Sequence, residues 1–230
     1  MTRRWYSTTT FVDEIDQAVG RGWEIFRRSV NGHTVTLYTK SGDWGSYSSL
    51  IFLIPEYDFG FTLLTASTKA TGTLTGSLPN TIVNTLLPAL DDIAKDHANR
   101  TFTGNFTSPT TNSSITVTTD DQPALKLTSY IANGVDLMST VFATFGKNID
   151  FRLVPNHLYG GKRVGFTGLY QVPTAPAPEN EFYWPCQSWL DVDDFTYASV
   201  PLGQMVFDLD EEGKAKSVRL TALRETLERQ

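Results

Sequence analysis

Residues 34–66, T-V-T-L-Y-T-K-S-G-D-W-G-S-Y-S-S-L-I-F-L-I-P-E-Y-D-F-G-F-T-L-L-T-A, leave the chain little alternative to a sheet. Val35 and Leu37 alternate with Thr34, Thr36 and Tyr38, the period of a half-buried strand. Leu50 to Ile54 is apolar on both faces, and Phe59, Phe61, Leu63 and Leu64 fill a third strand pattern. Gly42, Asp43 and Gly45 mark a turn after the first strand, and Pro55, Asp58 and Gly60 mark one after the second, each reaching backbone conformations that bulky residues resist.

Around this stretch the periodicity changes. Residues 9–20 read as a helix, with Thr10 as cap, Phe11, Ile15, Ala18 and Val19 on one face and Gly20 as terminator. Residues 67–78 are a Thr/Gly/Ser loop. Pro79 to Ala98 carries the helical stripe Ile82, Val83, Leu86, Leu87, Leu90, Ile93, Ala94 and His97, with a kink expected at Pro88. His97 has no acid or nucleophile beside it and is read as a helix-end residue. After Asn99, strand patterns recur about every ten residues: 101–107, 114–119, 124–131, 137–145, 150–154, 163–170, 195–200, 204–209 and 218–227. Turns at Asp120-Asp121, Asn133-Gly134, Gly160-Gly161 and Glu212-Gly213 separate several of them, the pattern of an antiparallel barrel. The long proline-rich segment from Gln171 to Ser188 ends in Phe182-Tyr183-Trp184-Pro185. It reads either as a roof of Tyr183, Trp184 and Trp189 over an apolar cavity, beside Asp191, Asp193 and Asp194, or as a barrel plug next to a solvated turn.

Lys40-Ser41-Gly42, followed by Gly45-Ser46-Tyr47-Ser48-Ser49 and Pro55-Glu56-Tyr57, resembles the serine β-lactamase and penicillin-binding-protein superfamily, in particular its class C-like hydrolases and acyltransferases of fungi. The resemblance implies an α+β, mainly β fold: a truncated lactamase-type antiparallel sheet with two helices over residues 1–98, then a lipocalin-like antiparallel β-barrel over 99–230. Trp23 to Arg27 resembles the strand before the K-S-G strand, and Thr103 to Thr107 and Phe207 to Arg229 look like the first and last barrel strands. The resemblance also implies that Lys40 and Ser41 hold a substrate carboxylate while the strand backbone polarises a carbonyl. The family's Ser-x-x-Lys nucleophile motif occurs nowhere in the 230 residues, and its nearest echo is Thr144-Phe145-Gly146-Lys147. The expectation is a hydrolase scaffold without its amino-terminal catalytic portion, forming no acyl-serine by the family mechanism.

The net charge of −6 without a basic cluster argues against nucleic acid and anionic membranes, and the single cysteine, Cys186, excludes an intramolecular disulfide. No apolar run approaches the roughly 20 residues of a membrane span, and no signal-peptide core follows Met1, so a cytoplasmic location is expected. Sequons at Asn99, Asn105 and Asn112 point the other way. Three functions compete: a non-covalent isomerase or cyclase of specialised metabolism acting on a small apolar organic substrate in an apolar cavity, a hydrolase or acyltransferase relative, and a non-catalytic partner-binding protein. Lys40, Ser41 and Tyr47 are nominated as catalytic, and Gly42, Trp44, Tyr183, Trp184, Trp189 and Asp194 as substrate-binding. No cofactor or metal is expected, and a homodimer is the assembly considered.

Overall fold

The computed structural model describes residues 8–11, 16–68, 76–145, 149–171 and 192–230. It divides into two compact units, Met1–Lys95 and Asp96–Gln230. In the first, strands β1 (Thr8–Phe11), β2 (Gln17–Gly20), β3 (Glu24–Val30), β4 (His33–Trp44), β5 (Tyr47–Ile54) and β6 (Phe59–Ala66) form one antiparallel sheet, each hydrogen-bonded to its sequence neighbour. The Asn31-Gly32 turn, with φ of 45° and 88°, is the left-handed pair that suits the twist of a tight hairpin. It sets Glu24 opposite Thr39. Helix α1 (Ser77–Phe102) lays Val83, Leu87 and Leu90 on Val35, Leu37, Leu50, Phe52 and Ile54. Burial of each such side chain contributes about 1.5–3 kcal/mol.

Two local expectations are corrected here. The ends of the segment read as a helix over 9–20 are strands β1 and β2, because Ala18 and Gly20 are buried in alternation with exposed Val19 and pair across the sheet. Gly42 and Asp43 are not turn residues: they pair with Ser49 and Ser48, β4 runs on to Trp44, and the turn shrinks to Gly45-Ser46. The alternation in β4 stops at Thr39, so hydropathy gave no sign that the ladder continues.

In the second unit β7 (Gly104–Ser108), β8 (Ser113–Thr118), β9 (Leu125–Ala132), β11 (Asp150–Gly160), β12 (Arg163–Gln171), β15 (Gln204–Leu209), β16 (Ala215–Leu220) and β17 (Glu225–Arg229) pair in sequence order, and β17 returns to β7. The result is a closed eight-strand antiparallel barrel. The two-residue strand β10 (Val135–Asp136) pairs with β9, and β13 (Thr196–Tyr197) with β14 (Val200–Pro201). Residues 137–145 are turns and a short 3-10 segment rather than a strand, since Asp136 caps the backbone of Met138 and its carbonyl takes the Thr140 hydroxyl. Residues 218–227 are two strands with a turn between them, and 195–200 gives only the fragments β13 and β14.

The barrel interior is packed. Phe106, Phe142, Phe151, Phe207, Tyr130 and Tyr170 are fully buried, and Phe102 at the end of α1 meets Phe166 and Phe207 edge-on at 5.1 and 5.4 Å. Gly168 is a close-approach site, where an added Cβ would lie 2.5 Å from the Phe151 ring and 2.9 Å from Gly203 Cα. Arg229 closes the barrel seam. Its guanidinium donates to the carbonyls of Thr101, Thr103 and Ala215 and lies over the Phe106 ring. No helix of the described residues is long and apolar enough to cross a membrane.

Candidate functional site

The sheet unit carries a cleft of about 310 Å³ between the sheet and the start of α1. Its floor alternates down three strands: Glu24, Phe26 and Arg28 from β3, Leu37, Thr39 and Ser41 from β4, and Leu50 and Phe52 from β5; Pro79, Asn80 and Val83 form the helix wall. Period-2 alternation puts these residues on one face, and the Asn31-Gly32 register aligns Glu24 with Thr39 and leaves Ser41 beside them. Four of the eight floor residues are apolar, Phe26, Leu37, Leu50 and Phe52; Glu24, Thr39 and Ser41 lie at one end and Arg28 at the other.

At that end Lys40 Nζ lies 2.7 Å from Glu24 Oε1, and the Ser41 hydroxyl donates to the same oxygen at 3.2 Å. Lys40 and Ser41 are neighbours and leave opposite faces of β4, yet the long lysine side chain curls back, donating also to the Ser41 carbonyl at 3.0 Å. Thr39 Oγ1 donates to the Glu24 carbonyl at 3.1 Å, fixing the backbone beneath the carboxylate. Arg28 is engaged by Asp16 at 2.9 Å. The arrangement is a carboxylate with a cation and a hydroxyl on one of its oxygens at one end of a cleft of mixed polarity. Half of the Lys40 side chain is exposed, so the pair is in contact with solvent.

The other nominated residues lie elsewhere. Gly42 is next in β4, where Ser49 Oγ donates to its carbonyl at 3.0 Å. Trp44 and Tyr47 pair across the end of the β4–β5 hairpin, 85% and 64% exposed. Four residues of extended chain put Trp44 roughly 13 Å from Lys40. Tyr47 is therefore not a partner of Lys40 and Ser41. With Gly42, Asp43, Ser49 and Leu64 it borders a separate open depression. Asp194 lies in an exposed turn of the barrel unit. Tyr183, Trp184, Trp189 and Asp191 fall outside the described residues.

Two features escaped the sequence reading. Glu24 was only part of a strand, although the Asn31-Gly32 turn was the signal from which its register with Thr39 follows. The second feature is a polar knot. His33 Nε2 lies 3.2 Å from the Tyr57 hydroxyl, Tyr57 donates to the buried Asp91 at 3.4 Å, and Asn31 donates to Asp91 at 2.6 Å. Burial, reinforced by the Asp91 charge, pushes the Tyr57 phenol well above its ordinary range, and burial also raises Glu56. Both shifts suit a knot that ties hairpin, 3-10 turn and helix together, and nothing in sequence spacing links these residues.

Residues 94–230 match a family model described as "Beta-lactamase-like-like, C-terminal domain". Among curated proteins the chain is similar to a beta-lactamase-like protein of Arthroderma benhamiae, 24% identical over 262 residues covering 97% of this chain and 43% of the relative. It is also similar to a probable hydrolase of Cochliobolus lunatus, 27% identical over 97% of this chain and 39% of the relative. A third relative, a probable hydrolase of Phoma sp., is 26% identical over 97% of this chain and 40% of its own length. The chain thus spans about two fifths of the curated relatives it matches. Among solved structures, the octameric penicillin-binding protein homologue of Pyrococcus abyssi aligns over 98% of this chain and 40% of that chain, at 15% identity and a TM-score of 0.31.

Proposed function

This chain belongs to the family described as Beta-lactamase-like-like, C-terminal domain, and from that premise we propose that it binds a small organic carbonyl compound of specialised metabolism in the cleft of its sheet unit and rearranges it without a covalent intermediate. One observation carries the reading: the Lys40 ammonium and the Ser41 hydroxyl converge on Glu24 at one end of a cleft whose floor also carries Phe26, Leu37, Leu50 and Phe52. Glu24, as general base, takes a proton from the carbon next to the substrate carbonyl. Lys40 and Ser41, released from Glu24 as the substrate enters, donate to the oxygen on which negative charge gathers. Return of the proton to another carbon gives an isomer, and attack of the enolate carbon on an internal electrophile gives a ring. The order of the barrel strands, each beside its sequence neighbour, supports a lipocalin-like description of the second unit. Its ring-filled interior favours the sheet cleft, rather than the barrel, as the place of binding.

A second reading is favoured by the hydrogen bond from Ser41 to Glu24 and by relatives named as probable hydrolases: Ser41 as an improvised nucleophile with Glu24 as its base. A fluorophosphonate probe separates the two. The first reading expects no labelled serine, together with a melting temperature raised by hydrophobic ketones in the unsubstituted protein but not in Glu24→Gln. Labelling that disappears in Ser41→Ala establishes the second and removes the first.

A further inference from the structure

Residues 101–119, T-F-T-G-N-F-T-S-P-T-T-N-S-S-I-T-V-T-T, contain no charged residue, although the hairpin of β7 with β8 within them turns alternate residues away from the barrel interior. A soluble surface is ordinarily about 25–35% charged. Here solvation is left to Ser, Thr and Asn. The sequons of the chain, Asn99-Arg100-Thr101, Asn105-Phe106-Thr107 and Asn112-Ser113-Ser114, fall on this hairpin and the helix end beside it. All three asparagines are exposed.

The amides of Asn99 and Asn105 share an orientation. Asn99 Oδ1 accepts from Thr119 Oγ1 at 3.1 Å and Thr103 Oγ1 at 3.3 Å, and Asn105 Oδ1 accepts from Thr116 Oγ1 at 3.0 Å. With these two oxygens held against the protein, each planar amide turns its nitrogen away, and among the described residues no acceptor takes up either Nδ2. Asn112 stands in the β7–β8 turn with φ of 51°, its Nδ2 beside Gly134, where an added Cβ would lie 2.9 Å away.

We propose that this face is a carbohydrate-bearing surface, N-glycosylated at Asn99, Asn105 and Asn112. Nδ2 attacks C1 of a polyisoprenyl-pyrophosphate oligosaccharide. The N–C1 bond forms, the C1–O bond to pyrophosphate breaks, and one amide proton is lost to solvent through the transferase. At Asn99 and Asn105 the fold then carries the sugars with the hydrogen bonds to Oδ1 kept. The proposal places the chain in a secretory compartment, against the cytoplasmic expectation, and is independent of the cleft chemistry.

The test uses the full chain behind a cleavable secretion leader in a yeast, with peptide mapping after an N-glycosidase that converts each glycosylated asparagine to aspartate. Conversion at two or three of these positions is the expected result. Conversion at one or none in secreted, folded protein overturns the proposal. Mapping needs no substitution, so a misfolded variant does not blur the outcome. A second measurement reads Asn105→Gln and Asn112→Gln, each expected to lose one glycan's mass where mapping finds that position converted, while keeping the barrel's melting temperature within about 2 °C, as exposed substitutions do.

Discussion

Replacing Arg152 by methionine removes the cation around which one side of the barrel is organised. The guanidinium, only 2% exposed, makes a bidentate bond to Asp120 at 2.6 and 2.7 Å and a third bond through Nε to Asp150 at 2.7 Å. Breaking a buried pair from one side costs about 3–5 kcal/mol, because the partner charge stays behind. The low end applies here: Lys126 remains 3.5 Å from Asp120 and 3.7 Å from Asp150, and Asp120 is partly solvated. The barrel unit runs from Asp96 to Gln230, which is 230 − 95 = 135 residues. At about 2.1 cal/mol/K per residue its unfolding entropy is about 280 cal/mol/K, so a loss of about 3 kcal/mol lowers the melting temperature by about 11 °C.

Thermal denaturation followed by circular dichroism measures this directly, and its pH dependence supplies a second readout. Hydrogen bonds from Arg152 hold the Asp120 carboxyl well below the usual carboxylate range. A carboxyl depressed in the folded state contributes stability that is fully present above its unfolded pKa of about 3.9 and is lost as pH falls through the lower folded value. The unsubstituted protein therefore loses this contribution only below about pH 4, and in Arg152→Met the acid-side loss is smaller. A melting temperature lowered by less than about 3 °C, with the acid limb unchanged, would refute the assignment of Arg152 as a stabilising centre, at the conversion used above.

Three further outcomes follow from the geometry. Glu24→Gln removes the negative partner of Lys40 and is expected to abolish turnover of an enolisable substrate while changing stability by less than about 1 kcal/mol, since the pair is exposed; retained turnover rules out Glu24 as base. Gly168→Ala drives a methyl into the Phe151 ring and Gly203, so a loss of about 1–3 kcal/mol is expected in denaturant unfolding, and an unchanged midpoint contradicts the close approach. Burial raises the Glu56 carboxyl in the folded state, so its stabilising contribution is present below the unfolded pKa and lost as pH rises through the raised value. Glu56→Gln is thus expected to be more stable than the unsubstituted protein at pH 7 and level with it near pH 4, and the opposite ordering contradicts the shift.

Local pattern fixed much of the architecture. The alternation of Val35 and Leu37, the apolar run to Ile54 and the stripe from Ile82 to Leu90 each specify an element, the first and third with a core face set by period, and all three are found in place. The short strands after Asn99 announced a barrel for the same reason. Sequence also carried the family, through a K-S-G strand with its following turns. What it left open is whatever depends on partners distant along the chain. Residues 9–20 have a helical stripe, but β2 is a strand because β3 offers it a ladder. Tyr47 reads as a neighbour of the Lys40 motif, but the continued pairing of β4 with β5 carries it to the hairpin end. Glu24 lies 16 residues from Lys40 and meets it only through the register of one tight turn. Composition and period act over a few residues, whereas a site is assembled by hydrogen-bond register and close packing between elements, which only the folded chain determines.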